Sequence, residues 1–161
     1  MAVMSKRFYV TTPIYYVNDD PHIGHAYTTL ACDVLARFKR LDGFDVKLLT
    51  GTDEHGLKMA QKARELRVSP RDLCDEMSAH FRDLFWRLDI SYDNFIRTTD
   101  PSHHRASRAL WQAMEESGDL YLDRYEGWYS IRDEAYYDES ELSEGEGGVK
   151  LSPQGTPVEW T

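Results

Sequence analysis

Two histidines three positions apart, His22 and His25, stand in the segment Asn18-Asp19-Asp20-Pro21-His22-Ile23-Gly24-His25-Ala26, where the chemistry of the chain concentrates. At that spacing both imidazoles lie on one face of a helix. In a first turn the same face carries free backbone N–H groups and the positive end of the macrodipole, so the natural guest is an anion. Phosphates bound there would meet donors from both rings. Gly24 removes a side chain where a flat base could approach the backbone, and the site suits a nucleotide. A pair at this spacing would also serve to cap a helix or to hold a metal, although two neutral histidines alone make a poor zinc site.

A second constellation is Gly51-Thr52-Asp53-Glu54-His55-Gly56. Asp53 is its better-placed carboxylate: at the edge of a sheet it would attract a ligand ammonium group, and its plainer role would be the N-cap of the next helix.

The elements that must position these groups read as follows. Residues 7–12, Arg-Phe-Tyr-Val-Thr-Thr, form a short aromatic and β-branched strand that halts at Pro13. After a loop over 13–21, apolar residues at Tyr27, Leu30, Ala31, Val34, Leu35, Phe38 and Leu41 follow the spacing of a helix packed by one face and closed by Gly43. Residues 44–50 read as a second strand broken by Gly51, followed by a helical run over 54–67. Strand, helix, strand, helix implies an α/β fold with a parallel sheet, which places both constellations at the edge where open sheets bind ligands. Ser69-Pro70 with Asp72, and then Asp100-Pro101, open two further helices, the last ending at Gly118. Beyond it, short alternating runs and a Glu/Gly/Ser-rich stretch describe a small β-rich appendage.

Composition bounds the function. With 161 residues, 41% hydrophobic and 29% charged, the chain supports one core with an appendage and is neither collagenous nor wholly disordered. No run reaches the ~18 apolar residues of a membrane span, and the first residues do not form a secretory signal, so a cytoplasmic protein without a membrane partner is expected. Cys32 and Cys74, the two cysteines, supply neither a disulfide framework nor paired metal-ligand spacing. The 28 acidic residues against 19 basic ones, a net charge of −9, argue against DNA or RNA held by bulk attraction to phosphate.

His22-Ile23-Gly24-His25 resembles the HIGH element of class I aminoacyl-tRNA synthetases. Val10-Thr11-Thr12-Pro13-Ile14-Tyr15-Tyr16-Val17-Asn18, Pro21 to Tyr27, Leu49 to Gly56, Ser91-Tyr92-Asp93-Asn94-Phe95 and Tyr125-Glu126-Gly127-Trp128-Tyr129 narrow the likeness to the bacterial methionyl-tRNA synthetases, over nearly the whole chain. The resemblance implies a Rossmann-like catalytic domain, cytoplasmic and engaged in protein biosynthesis, whose enzyme is a methionine–tRNA ligase. Its substrates would be methionine, ATP with Mg2+, and tRNA(Met). By the resemblance, His22 and His25 are catalytic, Thr12, His22, Gly24 and His25 bind ATP, and the carbonyl of Ile14, Tyr16 and Asp53 hold methionine. Two other readings stay open: a nucleotidyltransferase using a similar HxGH turn, and a noncatalytic binding module retaining the fold.

The lysine-bearing KMSKS loop of the class does not occur in these residues, so the chain is expected to be an incomplete enzyme, inactive alone. Residues 1–118 would be the first half of the catalytic domain and 119–161 the start of the connective insertion. In many relatives that insertion carries Cys-x-x-Cys knuckles; here the first such position reads Ser130-Ile131-Arg132-Asp133 and no structural zinc is expected. The appendage would then be held by aromatic packing of Tyr121, Tyr125, Trp128, Tyr129, Tyr136 and Tyr137 with Leu142.

Overall fold

The computed structural model describes residues 6–161, which fall into two compact units divided between Leu110 and Trp111. The division falls within the helix Pro101–Ser117, eight residues before the boundary expected after Gly118.

The first unit is a parallel sheet with its helices. In chain order it contains β1 (Arg7–Thr11), β2 (Tyr15–Tyr16), α1 (Ile23–Leu41), β3 (Asp45–Asp53), α2 (Leu57–Leu66), α3 (Pro70–Arg87), β4 (Asn94–Arg97) and the start of α4 (Pro101–Ser117). β3 is central. On one side it pairs with β1, from Arg7↔Asp45 to Thr11↔Leu49, and further along with β2, Tyr15↔Thr52 and Tyr16↔Asp53; on the other it pairs with β4, from Leu49↔Asn94 to Thr52↔Arg97. All pairings are parallel, as the alternation of strands and helices implies. The ends of α3 also follow the reading, with Ser69 Oγ accepting from Asp72 N at 3.0 Å and Pro70 in the first turn.

Two elements were hidden in the sequence. β2 lies inside the expected loop 13–21, too short for any periodicity to reveal. β4 forms from a segment whose strand character becomes visible only beside β3. Gly51 does not break β3, which runs on to Asp53. A Cβ on Gly51 would sit 2.0 Å from the carbonyl oxygen of Ile96, so the glycine is there because β4 passes too close for any side chain.

The apolar stripe of α1 also behaves differently from the expectation. Tyr27, Val34, Phe38 and Leu41 are exposed, while Thr29, Asp33 and Ala36 are buried against the sheet. The reason is a polar anchor. Asp33 Oδ1 accepts from Ser91 N at 2.7 Å and from Ser91 Oγ, and Oδ2 accepts from Arg37 Nε at 2.7 Å. From the same loop, Asp93 Oδ2 accepts from Leu48 N at 2.6 Å and from Arg40 Nη2 at 3.0 Å, locking α1, β3 and the approach to β4 together. The apolar core lies elsewhere: Tyr15 and Val17 meet Met59 of α2 and Leu73, Phe81 and Phe85 of α3.

The second unit holds β5 (Trp128–Ser130), β6 (Ala135–Tyr137), β7 (Ser143–Glu144), β8 (Lys150–Leu151) and β9 (Glu159–Trp160), with β6-β5-β9 antiparallel and β7-β8 a separate ladder. Its interior is not the aromatic cluster that was expected. Tyr121 and Tyr125 are 85% and 74% exposed, whereas Ser130, Ser152 and Thr156 are fully buried. Their hydroxyls converge: Ser130 Oγ and Ser152 Oγ each lie 2.8 Å from Thr156 Oγ1, and Asp133 Oδ2 accepts from Ser152 at 2.7 Å, from Tyr137 OH at 3.1 Å and from Thr156. These bonds hold the carboxyl of Asp133 below the usual range. Part of the expected aromatic packing is present beside it: Tyr125 and Tyr129 both meet Tyr136, and Trp128 meets Trp160.

Gly51→Ala should cost about 1–3 kcal/mol or more, because the new methyl meets a backbone carbonyl that cannot rotate away. Denaturant melts of the variant test this; unchanged stability would mean that β4 does not press on β3 at this point.

Candidate functional site

The carboxyl ends of β1, β2 and β3 and the first turn of α1 meet in the first unit, and every sequence-selected site residue lies there. His22 is the N-cap of α1, with extended backbone, and His25 is the third helical residue. The two form a reciprocal capping box in which imidazoles replace the usual hydroxyl and carboxylate. His22 Nδ1 accepts from Gly24 N at 3.1 Å, and His25 Nδ1 accepts from His22 N at 3.1 Å. The rings stack, their centroids 3.9 Å apart and planes 24° from parallel. The helix-cap role and the anion role are therefore compatible. A neutral imidazole whose Nδ1 accepts a hydrogen bond carries its proton on Nε2, so each ring keeps one N–H donor that the cap does not use.

This arrangement changes one expectation. Of the first-turn backbone N–H groups expected to be free for an anion, that of Gly24 is committed to His22 Nδ1, and donation passes to the ring Nε2–H groups. Gly24 itself has a local reason to be glycine: a Cβ there would lie 2.9 Å from His22 Cε1 and 3.1 Å from its Nδ1.

Aromatic contacts fix His25 from behind. Tyr15 and Phe81 meet its ring edge-on at centroid distances of 4.9 and 5.0 Å, and they stack on each other at 5.6 Å. The Tyr15 hydroxyl lies 2.9 Å from Thr29 Oγ1, which donates to the His25 carbonyl at 2.8 Å. Burial and then the neighbouring His22 push the pKa of His25 below its ordinary value of 6.5, so it is a neutral donor at pH 7 rather than a cation.

Side chains alternate along β2, so Tyr15 is buried in the core while Tyr16 is 40% exposed. The register sets Tyr16 directly beside Asp53. Ile14, just before, is partly exposed. Asp53 ends β3 and does not cap α2, whose N-cap is Gly56. The structure records no hydrogen bond or ion pair for its carboxylate among the described residues. Thr12 is buried, and its hydroxyl donates to the Pro13 carbonyl at 2.8 Å and lies 2.7 Å from Thr50 Oγ1, so its proton is spent within the strand ends.

Residues that sequence reasoning missed lie behind Asp53. The Glu54 side chain is fully buried and accepts from Arg97 Nε at 2.6 Å and Nη2 at 2.9 Å, from Thr52 Oγ1 at 2.7 Å and from Thr99 Oγ1. Arg97 also reaches Asp75 of α3 at 2.6 Å. Burial would raise the pKa of Glu54, but these donors outweigh it and hold the carboxyl below its ordinary value. A buried acid 43 residues from its arginine leaves no periodic signal; the only hint was a Glu beside a better candidate.

Comparison with known proteins gives the family. The family model described as tRNA synthetases class I (M) matches residues 8–149. A methionine–tRNA ligase of Mesorhizobium japonicum is 57% identical over 96% of this chain, and one of Rhizobium meliloti is 56% identical over 97%. The chain spans about 30% of the length of each. Among solved structures, the methionyl-tRNA synthetase of Mycobacterium tuberculosis in complex with methionyl-adenylate superposes with a TM-score of 0.89 at 53% identity, covering 97% of this chain and 31% of that one. No helix among the described residues is long and apolar enough to cross a membrane.

Gly24→Ala sets two effects against each other. Alanine in a helix gains about 0.5–1 kcal/mol over glycine, and loss of an N-cap costs about 0.5–2 kcal/mol, so stability should shift by only about 1 kcal/mol. The His22 ring, however, must leave its cap. Imidazole 15N spectra should show a single Nε2–H tautomer for His22 in the parent and a mixture in the variant; the same tautomer in both would contradict the cap.

Proposed function

Because this chain belongs to the tRNA synthetases class I (M), the methionyl members of that class, we propose that it supplies the phosphate-facing histidines and the ammonium-binding carboxylate of a site that activates methionine with ATP. In the first step a methionine carboxylate oxygen attacks the α-phosphorus, the bond to the bridging oxygen breaks, and pyrophosphate leaves. Negative charge grows on the α-phosphate oxygens, and catalysis requires donors aimed at that charge. The observation that carries this reading is the stacked pair whose Nδ1 atoms are both occupied by backbone N–H groups, leaving two preset Nε2–H donors. His22 and His25 thus act as donors rather than bases.

ATP is assigned to Thr12, His22, Gly24 and His25, with Thr12 contributing through the strand end it closes rather than its committed hydroxyl proton. Methionine is assigned to the Ile14 carbonyl, Tyr16 and Asp53, a carboxylate for the ammonium beside an aromatic wall for the thioether. The second step would be attack by a hydroxyl of the terminal adenosine of tRNA(Met) on the activated carbonyl, with AMP leaving, in the cytoplasm. Magnesium would arrive with ATP; among the described residues no group of three His, Cys, Asp or Glu side chains offers it a ligand set, and no step is assigned to it here. No observation favours the nucleotidyltransferase or the noncatalytic module.

Methionine-dependent pyrophosphate–ATP exchange by the full-length gene product tests this reading. His22→Ala and His25→Ala should each lower the exchange rate by about 10²-fold with little change in methionine affinity, since donors to the reacting phosphate act mainly in the transition state. An equal loss of methionine binding would contradict the phosphate assignment. Asp53→Asn keeps size and removes charge, and should weaken methionine binding by about 1.5–3 kcal/mol, the range for hydrogen bonds to charged groups. Calorimetry showing unchanged affinity would remove Asp53 from the amino acid site.

A further inference from the structure

Asp53 faces a difficulty that the structure answers one residue later. Its carboxylate has no partner among the described residues, so nothing on its own side chain holds it in place. Its aim must come from the backbone. On one side that backbone is paired with Tyr16 of β2. On the other it continues into Glu54, which is anchored through every polar group it has. The carboxylate holds the Arg97 fork and two threonine hydroxyls, the backbone N–H donates to Thr98 Oγ1 at 2.8 Å, and the carbonyl accepts from Cys74 Sγ at 3.6 Å.

Stability does not require this investment. A buried ion pair pays a desolvation cost that well-packed apolar residues avoid, and replacement by such residues is often neutral or stabilising. What the ion pair adds is direction, because a guanidinium fork on a carboxylate fixes both partners in one plane. It also settles charge. Arg97 is engaged through Nε and Nη2 by Glu54 and Asp75, and no ion pair joins it to the carboxylate of Asp53 among the described residues.

We propose that Glu54, held by Arg97, is a positioning residue that presents Asp53 to the substrate ammonium, so that the pair sets affinity for the amino group and not for the phosphates. This inference rests on Asp53 binding the ammonium. Glu54→Gln retains the shape and loses the charge that orients the fork. Misaiming by about 1 Å costs up to about 10²-fold, so the methionine KM should rise about 10- to 100-fold while the ATP KM stays within about twofold.

The test is a cycle in the full-length gene product: the parent, Asp53→Asn, Glu54→Gln and the double variant, with both KM values from pyrophosphate exchange and methionine affinity from calorimetry. Loss from Glu54→Gln that disappears in the Asp53→Asn background supports the proposal. Binding of 4-(methylthio)butanoate, which is methionine without its amino group, should be equal in the parent and Glu54→Gln. A silent Glu54→Gln, additive effects, a parallel rise in the ATP KM or weaker binding of the deaminated analogue would each overturn it. An Asp53→Asn variant with unchanged methionine affinity would instead remove the Asp53 reading beneath it. If Glu54→Gln fails to fold, Thr99→Val, which removes one donor and keeps the charge pair, takes its place in the cycle with the same expected pattern at smaller size.

Discussion

A single buried carboxylate in the middle of α1 decides where the candidate site can be. Asp33 is 4% exposed and takes two hydrogen bonds from Ser91 and one from Arg37. An unpaired acid in that position would cost several kcal/mol, so the helix can approach the sheet only in the rotation that brings Asp33 to Ser91. That rotation turns Thr29 and Ala36 inward. It also sets His25, eight residues before the anchor and just over two turns away, against Tyr15 and Phe81. The orientation of the histidine pair is therefore inherited from a polar contact at the far end of β3, and apolar packing adapts to it.

The same logic recurs at each place where the chain must hold a definite shape. Glu54 with Arg97 defines the end of β3 beside β4. Asp133 with Ser152, Thr156 and Tyr137 gathers the turns of the second unit. In all three the lone pairs of an acid are met by donors, which lowers its pKa, for Asp33 and Glu54 in spite of burial. Such networks specify one arrangement because any other leaves a charge unsatisfied. Asp53 is the exception, an acid at a sheet edge with no recorded partner. That contrast separates the carboxylates that hold the structure from the one proposed above for the substrate ammonium.

The sequence by itself determined the parallel α/β class and the helix starts at Ser69-Pro70 and Asp100-Pro101, and it singled out His22, His25 and Asp53 as candidates, because these rest on local signals: caps, breakers and side-chain spacing. The HIGH-like turn reached the class, and the runs Val10 to Asn18, Leu49 to Gly56, Ser91 to Phe95 and Tyr125 to Tyr129 with it narrowed the family. Tertiary structure alone decided which face of α1 is buried, since an apolar stripe from Tyr27 to Leu41 could not disclose that Asp33 would be claimed by Ser91, 58 residues away. It decided that Gly51 sits within a strand, because only the neighbouring Ile96 carbonyl makes a side chain impossible there. It decided that imidazole Nδ1 atoms cap α1, that Tyr16 lies beside Asp53, and that Glu54 is sealed by Arg97. Each of these depends on a partner distant in sequence or on one ring orientation, and no periodicity records which buried donor a buried acceptor will find.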